Sequence, residues 1–193
     1  MSTGELLFTS HMPGIWMAWC VAFSADGKNL AAGLESGEVR LWDVASGWEV
    51  ARIAGLGGRV RWLGFQPDGR SLVVAGRFPK FVVDVYDLKS RRRQHRLSGH
   101  GSEVLSGAWR ADGRLLITAG AVDGTVRLWD FSGDRPRSRA LEVIPPGVDW
   151  LHGMALSPEG RHLAVTNPNG TVYLLRLAKR GEVFRVPADR PKE

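Results

Sequence analysis

The sequence predicts an all-β chain made of four copies of one four-stranded antiparallel unit. Three observations carry this prediction. Four segments share one pattern: "FSADGKNL" (23–30), "FQPDGRSL" (65–72), "WRADGRLL" (109–116) and "LSPEGRHL" (156–163). Their starts lie 42, 44 and 47 residues apart, and recurrence at such a period marks a repeat architecture. A second column follows each copy: "GEVRLWD" (37–43), "FVVDVYD" (81–87), "GTVRLWD" (124–130) and "GTVYLLR" (170–176). The third observation is composition. The 193 residues include 24 glycines and 8 tryptophans, as expected of short apolar runs joined by tight turns.

Each element of the unit has a local cause. Asp-Gly or Glu-Gly between two apolar runs is a hairpin turn, because Gly supplies the positive φ that hairpin twist demands. The runs on either side are therefore two antiparallel strands, a and b. The second column alternates apolar and polar residues in three of its copies and is strand c. A shorter strand d follows: "WEVARI" (48–53), "RQHRL" (93–97), "SRALEVI" (138–144) and, in the last copy, "GEVFRV" (181–186). The N-terminal "ELLFTS" (5–10) reads as one extra outer strand. The expected boundaries are 1–16 for an N-terminal segment, about 17–53, 60–97, 104–144 and 150–186 for the four units, and 187–193 for a tail.

A Trp-Asp ending and a Gly-His opening on a unit of about 40–45 residues resemble the WD-repeat β-propeller family over roughly residues 17–178. Trp42-Asp43 and Trp129-Asp130 match the dipeptide, and Tyr86-Asp87 is a variant of it. Leu175-Arg176 has lost it, and Gly99-His100 is the one intact Gly-His. The resemblance implies a hydrogen-bonded set of His100, Asp123 and Trp129 in the third unit. Ala119 stands at the expected hydroxyl position, with Thr118 one place off. It also implies blades that bury both faces by stacking on their neighbours. Trp42, Trp62, Trp109 and Trp129 are then blade-core residues.

Propellers hold roughly 4–8 blades, and four repeats are present here. Three arrangements stay open: a pair of chains making eight blades, part of a larger ring completed by another chain or lost by truncation, and an open arc or small closed ring. An incomplete or self-assembled propeller is expected over a closed four-blade ring.

No catalytic constellation stands out. The five histidines form no paired metal spacing, and the single Cys20 excludes an intramolecular disulfide and a C-x-x-C site. Cys20, within "AWCVAF", reads as a buried small hydrophobe. Asp26, Asp68, Asp112 and Glu159 are explained by turn formation. No cofactor or metal is expected, and the chain is not expected to be an enzyme. There is no long apolar span or signal-peptide pattern, so a cytoplasmic setting without membrane contact is expected.

The two rims are the candidate surfaces. The rim of the d–a and b–c connections carries Trp16, Arg59, Phe78, Lys80, Glu103, Asp149 and Trp150, and aromatics with Arg suit protein recognition. The opposite rim carries a basic run, Lys89, Arg91, Arg92, Arg93 and Arg96, with Arg135, Arg137 and Arg139 in the next unit and Lys179 and Arg180 in the last. With a net charge of +6, this rim suits nucleic acid or another polyanion. The expected function is a non-catalytic scaffold for protein–protein interaction or complex assembly. Polyanion association through the basic rim and a truncated remnant of a larger WD-repeat protein are the alternatives. Expected partners are a protein or peptide, with a second copy or another propeller-completing chain also open.

Overall fold

The computed structural model describes residues 4, 6–9, 17–54, 56–77, 79–143 and 150–177. The strands are β1 (Ala18–Phe23), β2 (Asn29–Leu34), β3 (Val39–Asp43), β4 (Glu49–Ile53), β5 (Val60–Phe65), β6 (Ser71–Gly76), β7 (Val83–Asp87) and β8 (Arg93–Leu97). They continue with β9 (Val104–Trp109), β10 (Leu115–Gly120), β11 (Thr125–Asp130), β12 (Arg137–Glu142), β13 (Gly153–Leu156), β14 (His162–Thr166) and β15 (Val172–Arg176). They pair in sequence order into antiparallel sheets β1–β4, β5–β8, β9–β12 and β13–β15. Each sheet is one propeller blade. The expected "GEVFRV" strand lies outside the described residues. Residues 6–9 form no strand, contrary to expectation, and the Phe8 ring instead lies against Gly47.

The a–b turns repeat in geometry as they do in sequence. Gly27, Gly69, Gly113 and Gly160 have φ between 67° and 71°, a region closed to most side chains. Each donates its amide to the carbonyl three residues back (Ser24, Gln66, Arg110 and Ser157) at 2.8–2.9 Å. Asp26, Asp68 and Asp112 accept the amide two residues on, at 2.9–3.1 Å. The second blade departs at its b–c connection. There Pro79–Phe81 forms a 3₁₀ turn, with Lys80 at φ 63°.

Strands β1, β5, β9 and β13 are neighbours in that order, so strand a of every blade faces the centre. Each blade contributes one face to an apolar layer shared with the next. Ala31, Val39 and Leu41 of the first blade pack on Leu63, Phe65, Leu72 and Val74 of the second. Val73, Val83 and Val85 meet Leu116 and Trp129 of the third. Ile117 and Val126 meet Leu163 and Val165 of the fourth. Among the described residues the ring does not close, and the first and fourth blades each have one face without a neighbouring blade.

The third blade corrects one expectation. Thr118, not Ala119, is the hydroxyl of the polar set. Its Oγ1 accepts from Trp129 Nε1 at 2.8 Å and lies 2.8 Å from His100 Nε2. The register explains the choice: Thr118 and Trp129 face the second blade, whereas Ala119 faces the fourth. The opposite nitrogen of His100 lies 3.1 Å from Asp123 Oδ2. Asp123 also accepts the Gly101 and Thr125 amides at 2.8 and 2.9 Å. Burial pushes the Asp123 carboxyl up, but His100 and the two amides outweigh it and hold it at about 2. In the second blade Leu56, Val74 and Tyr86 stand at the places of His100, Thr118 and Trp129, and all three are apolar core. One blade thus fills with carbon the location that the next fills with a polar network.

Candidate protein-interaction rim

The rim of the d–a and b–c connections is built by a backbone bond used three times. The amides of Glu35, Arg77 and Ala121, each just past strand b, donate to the carbonyls of Met17, Arg59 and Glu103, each just before strand a, at 2.7–3.1 Å. Of the residues expected on this rim, Arg59 and Glu103 are fixed by that bond. Trp150 is exposed beside Leu151, whose amide donates to the Ala121 carbonyl at 2.8 Å. Lys80 is exposed on the 3₁₀ turn. Trp16, Phe78 and Asp149 lie outside the described residues.

Three further residues complete a cluster across the first two blades. In each of the first three blades, strand a carries a one-residue bulge after its first residue. The bulged residues are Trp19, Arg61 and Leu105. A bulge re-aims its side chain away from the regular alternation. Arg61 and Arg59 place their guanidinium carbons 4.4 and 5.5 Å from the Trp19 ring centroid. Glu35 binds Arg59 at 2.8 Å and accepts the Trp19 indole N–H. The result is a half-open Trp–Arg–Arg–Glu cluster. Sequence reasoning found Arg59 alone. The signal for the others was the alignment of Trp19 with Arg61 one residue into strand a, which alternation alone does not interpret.

The basic rim is less free than the sequence suggests. Arg93 and Arg96 are not in the turn: they lie on β8, and Arg137 and Arg139 lie on β12. Arg96 grips the buried carboxylate of Asp84 with two bonds at 2.8–2.9 Å, and Arg93 lies 3.6 Å from it. Arg91 donates to the Val50 carbonyl at 2.8 Å and ties the turn to the first blade. Lys89, Arg92 and Arg135 are exposed in the c–d connections. Asp26, Asp68, Asp112 and Glu159 share that rim and dilute its charge. Lys179 and Arg180 lie outside the described residues.

The signature acids have a structural task. Asp43, Asp87 and Asp130 accept turn amides from Ser46, Ser90 and Ser132 at 2.6–2.8 Å and close the c–d connections. Cys20 is half-buried, and burial pushes its thiol up to about 12. Among the described residues no group of three His, Cys, Asp or Glu side chains is placed to hold a metal ion, and no helix is long and apolar enough to cross a membrane.

The WD domain, G-beta repeat model matches residues 4–43 and 91–130, which contain both Trp-Asp dipeptides. Two WD repeats are thus matched in a chain whose sheets are propeller blades. The Protein LST8 homolog of Drosophila melanogaster is 29% identical over 147 residues, covering 75% of this chain and 45% of that protein. This WD-repeat chain thus spans under half the length of that relative. Among solved structures, the β-propeller domain of Cps50 (Swd1) from Myceliophteria thermophila superposes with a TM-score of 0.70 at 18% identity. The overlap covers 82% of this chain and 53% of that one. A chain of the mitotic checkpoint complex superposes with a TM-score of 0.74 at 24% identity, covering 86% and 51%. Both likenesses are of fold.

Proposed function

We propose that this WD-repeat chain is a non-catalytic scaffold that docks a protein or peptide on the rim carrying Trp19, Arg59, Arg61, Glu103 and Trp150. The Trp19–Arg61 stack carries the reading. Trp and Arg dominate the energy of protein interfaces. Here they are held in place before binding, by a bulge, an ion pair and cation–π contact, which lowers the ordering cost of association. Glu35 and Arg59 are spent on each other. Arg61 and the Trp19 ring face are therefore the groups left for a partner, and a carboxylate or carbonyl beside an apolar side chain is the chemistry that fits them.

The test compares two double variants with the wild type in affinity purification with quantitative mass spectrometry. Arg61→Glu with Trp150→Ala alters the proposed rim. Lys89→Glu with Arg92→Glu alters the opposite one. The first should lose a protein partner that the second retains, with both keeping the wild-type melting temperature. Loss with the second pair alone, steeply dependent on salt, would replace this reading with polyanion association. No change with either pair would refute the rim assignment.

A further inference from the structure

We infer that the two end faces of the blade row are complementary to each other, so that the front of the fourth blade docks on the back of the first blade of a second copy and two copies close one ring. The argument starts from the contact between the first and second blades. On the first blade's side it is made by Ala22, Ala31, Val39 and Leu41, which share one face through the pairs Ala22↔Ala31 and Ala31↔Leu41. The fourth blade carries the same four residues at the same four places: Ala155, Ala164, Val172 and Leu174, joined by Ala155↔Ala164 and Ala164↔Leu174. The second and third blades do not repeat this set, having Gly64, Val73, Val83 and Val85, and Ala108, Ile117, Val126 and Leu128.

The receiving surface recurs too. The second blade presents Leu63, Phe65, Leu72, Val74 and Tyr86 to the first. The first blade carries Val21, Phe23, Leu30, Ala32 and Trp42 at those positions, keeping Phe and Leu and remaining apolar at the rest. Exposure separates the internal contact from the end faces. Leu63 and Phe65 are 3% and 8% exposed, whereas Val21 and Phe23 are 66% and 60% exposed. Val39 and Leu41 are 0% and 3% exposed, whereas Val172 and Leu174 are 64% and 72% exposed. Ala32 and Trp42, deeper on the first blade's back, are 5% and 4% exposed, so the water-exposed apolar part of the two end faces is Val21 and Phe23 on one and Val172 and Leu174 on the other, a condition that association relieves.

A front-to-back contact is heterologous, and such contacts form a ring when their rotation closes. The chain covers 53% of the Cps50 propeller domain, so two copies supply about one ring of blades.

Light scattering on a sizing column, with the purified chain, tests this inference. A discrete particle of twice the 21.2 kDa chain mass is expected. Val21→Asp and Leu174→Asp each place a charge on one face and should weaken the pair roughly 30-fold or more. Both side chains are exposed, so circular dichroism should remain that of the wild type. Mixing the two variants is the sharper arm. One intact back and one intact front then meet, so the mixture should recover a one-to-one particle that neither variant forms alone. A monomeric or open-ended wild type, or a mixture that stays monomeric, would overturn the proposal. A Leu174→Asp variant that still pairs would also overturn it, in favour of contact between two first blades or of another chain on these faces. The outcome is independent of the rim test, which reads a different surface.

Discussion

Replacing Thr118 by Val tests the polar network at its centre. The two side chains have nearly the same shape, and the second blade already holds Val74 at that place, so steric cost is small. The hydroxyl is fully buried and serves Trp129 Nε1 and His100 Nε2, both at 2.8 Å. Thr118→Val therefore strands two buried polar groups, at about 1–3 kcal/mol each. A loss of about 2–6 kcal/mol is expected. At about 2–4 °C per kcal/mol for a chain of this size, the melting temperature should fall by roughly 4–24 °C. Urea unfolding followed by tryptophan fluorescence measures the free energy directly. A double-mutant cycle with Trp129→Phe adds a second reading. Once Thr118 is Val, removing the indole N–H should cost less than in the wild type, with a coupling of about 0.5–3 kcal/mol. A Thr118→Val protein within about 0.5 kcal/mol of wild type, or additive variants, would refute the argument.

Two further outcomes follow from the same geometry. The Asp123 carboxyl sits at about 2 in the folded chain, below its ordinary 3.8, so its stabilisation is full above about pH 4 and lost as pH falls toward 2. Asp123→Asn should cost about 2 kcal/mol at neutral pH, and its gap from the wild type should narrow between pH 4 and pH 2 in acid-unfolding curves. Cys20, with its thiol raised to about 12, should resist iodoacetamide at pH 8 in the native state and react once urea unfolds the chain. Fast native alkylation would show the first blade opening at Cys20.

The repeat was legible in the sequence because its causes are local. A glycine at φ near 70° has few substitutes, so the four acid–Gly pairs marked four a–b turns, and the alternating Val39/Leu41 and Val126/Leu128 marked strand c. Rim membership of Arg59, Glu103 and Trp150 followed from strand order alone. Where side chains from separate blades meet was decided only in three dimensions. Thr118 rather than Ala119 joins His100 because register sets which face each residue takes, and a shift of one residue exchanges the faces. Trp19 and Arg61 meet because bulges re-aim them across two blades. Arg93 and Arg96, which read as a basic surface, turn toward Asp84 because a buried carboxylate lowers its free energy most by pairing. Sequence determined the blade and the number of its visible copies, since these depend on neighbours in the chain. Tertiary structure decided which charges remain available and which apolar faces stay uncovered, since burial depends on what the next blade presents.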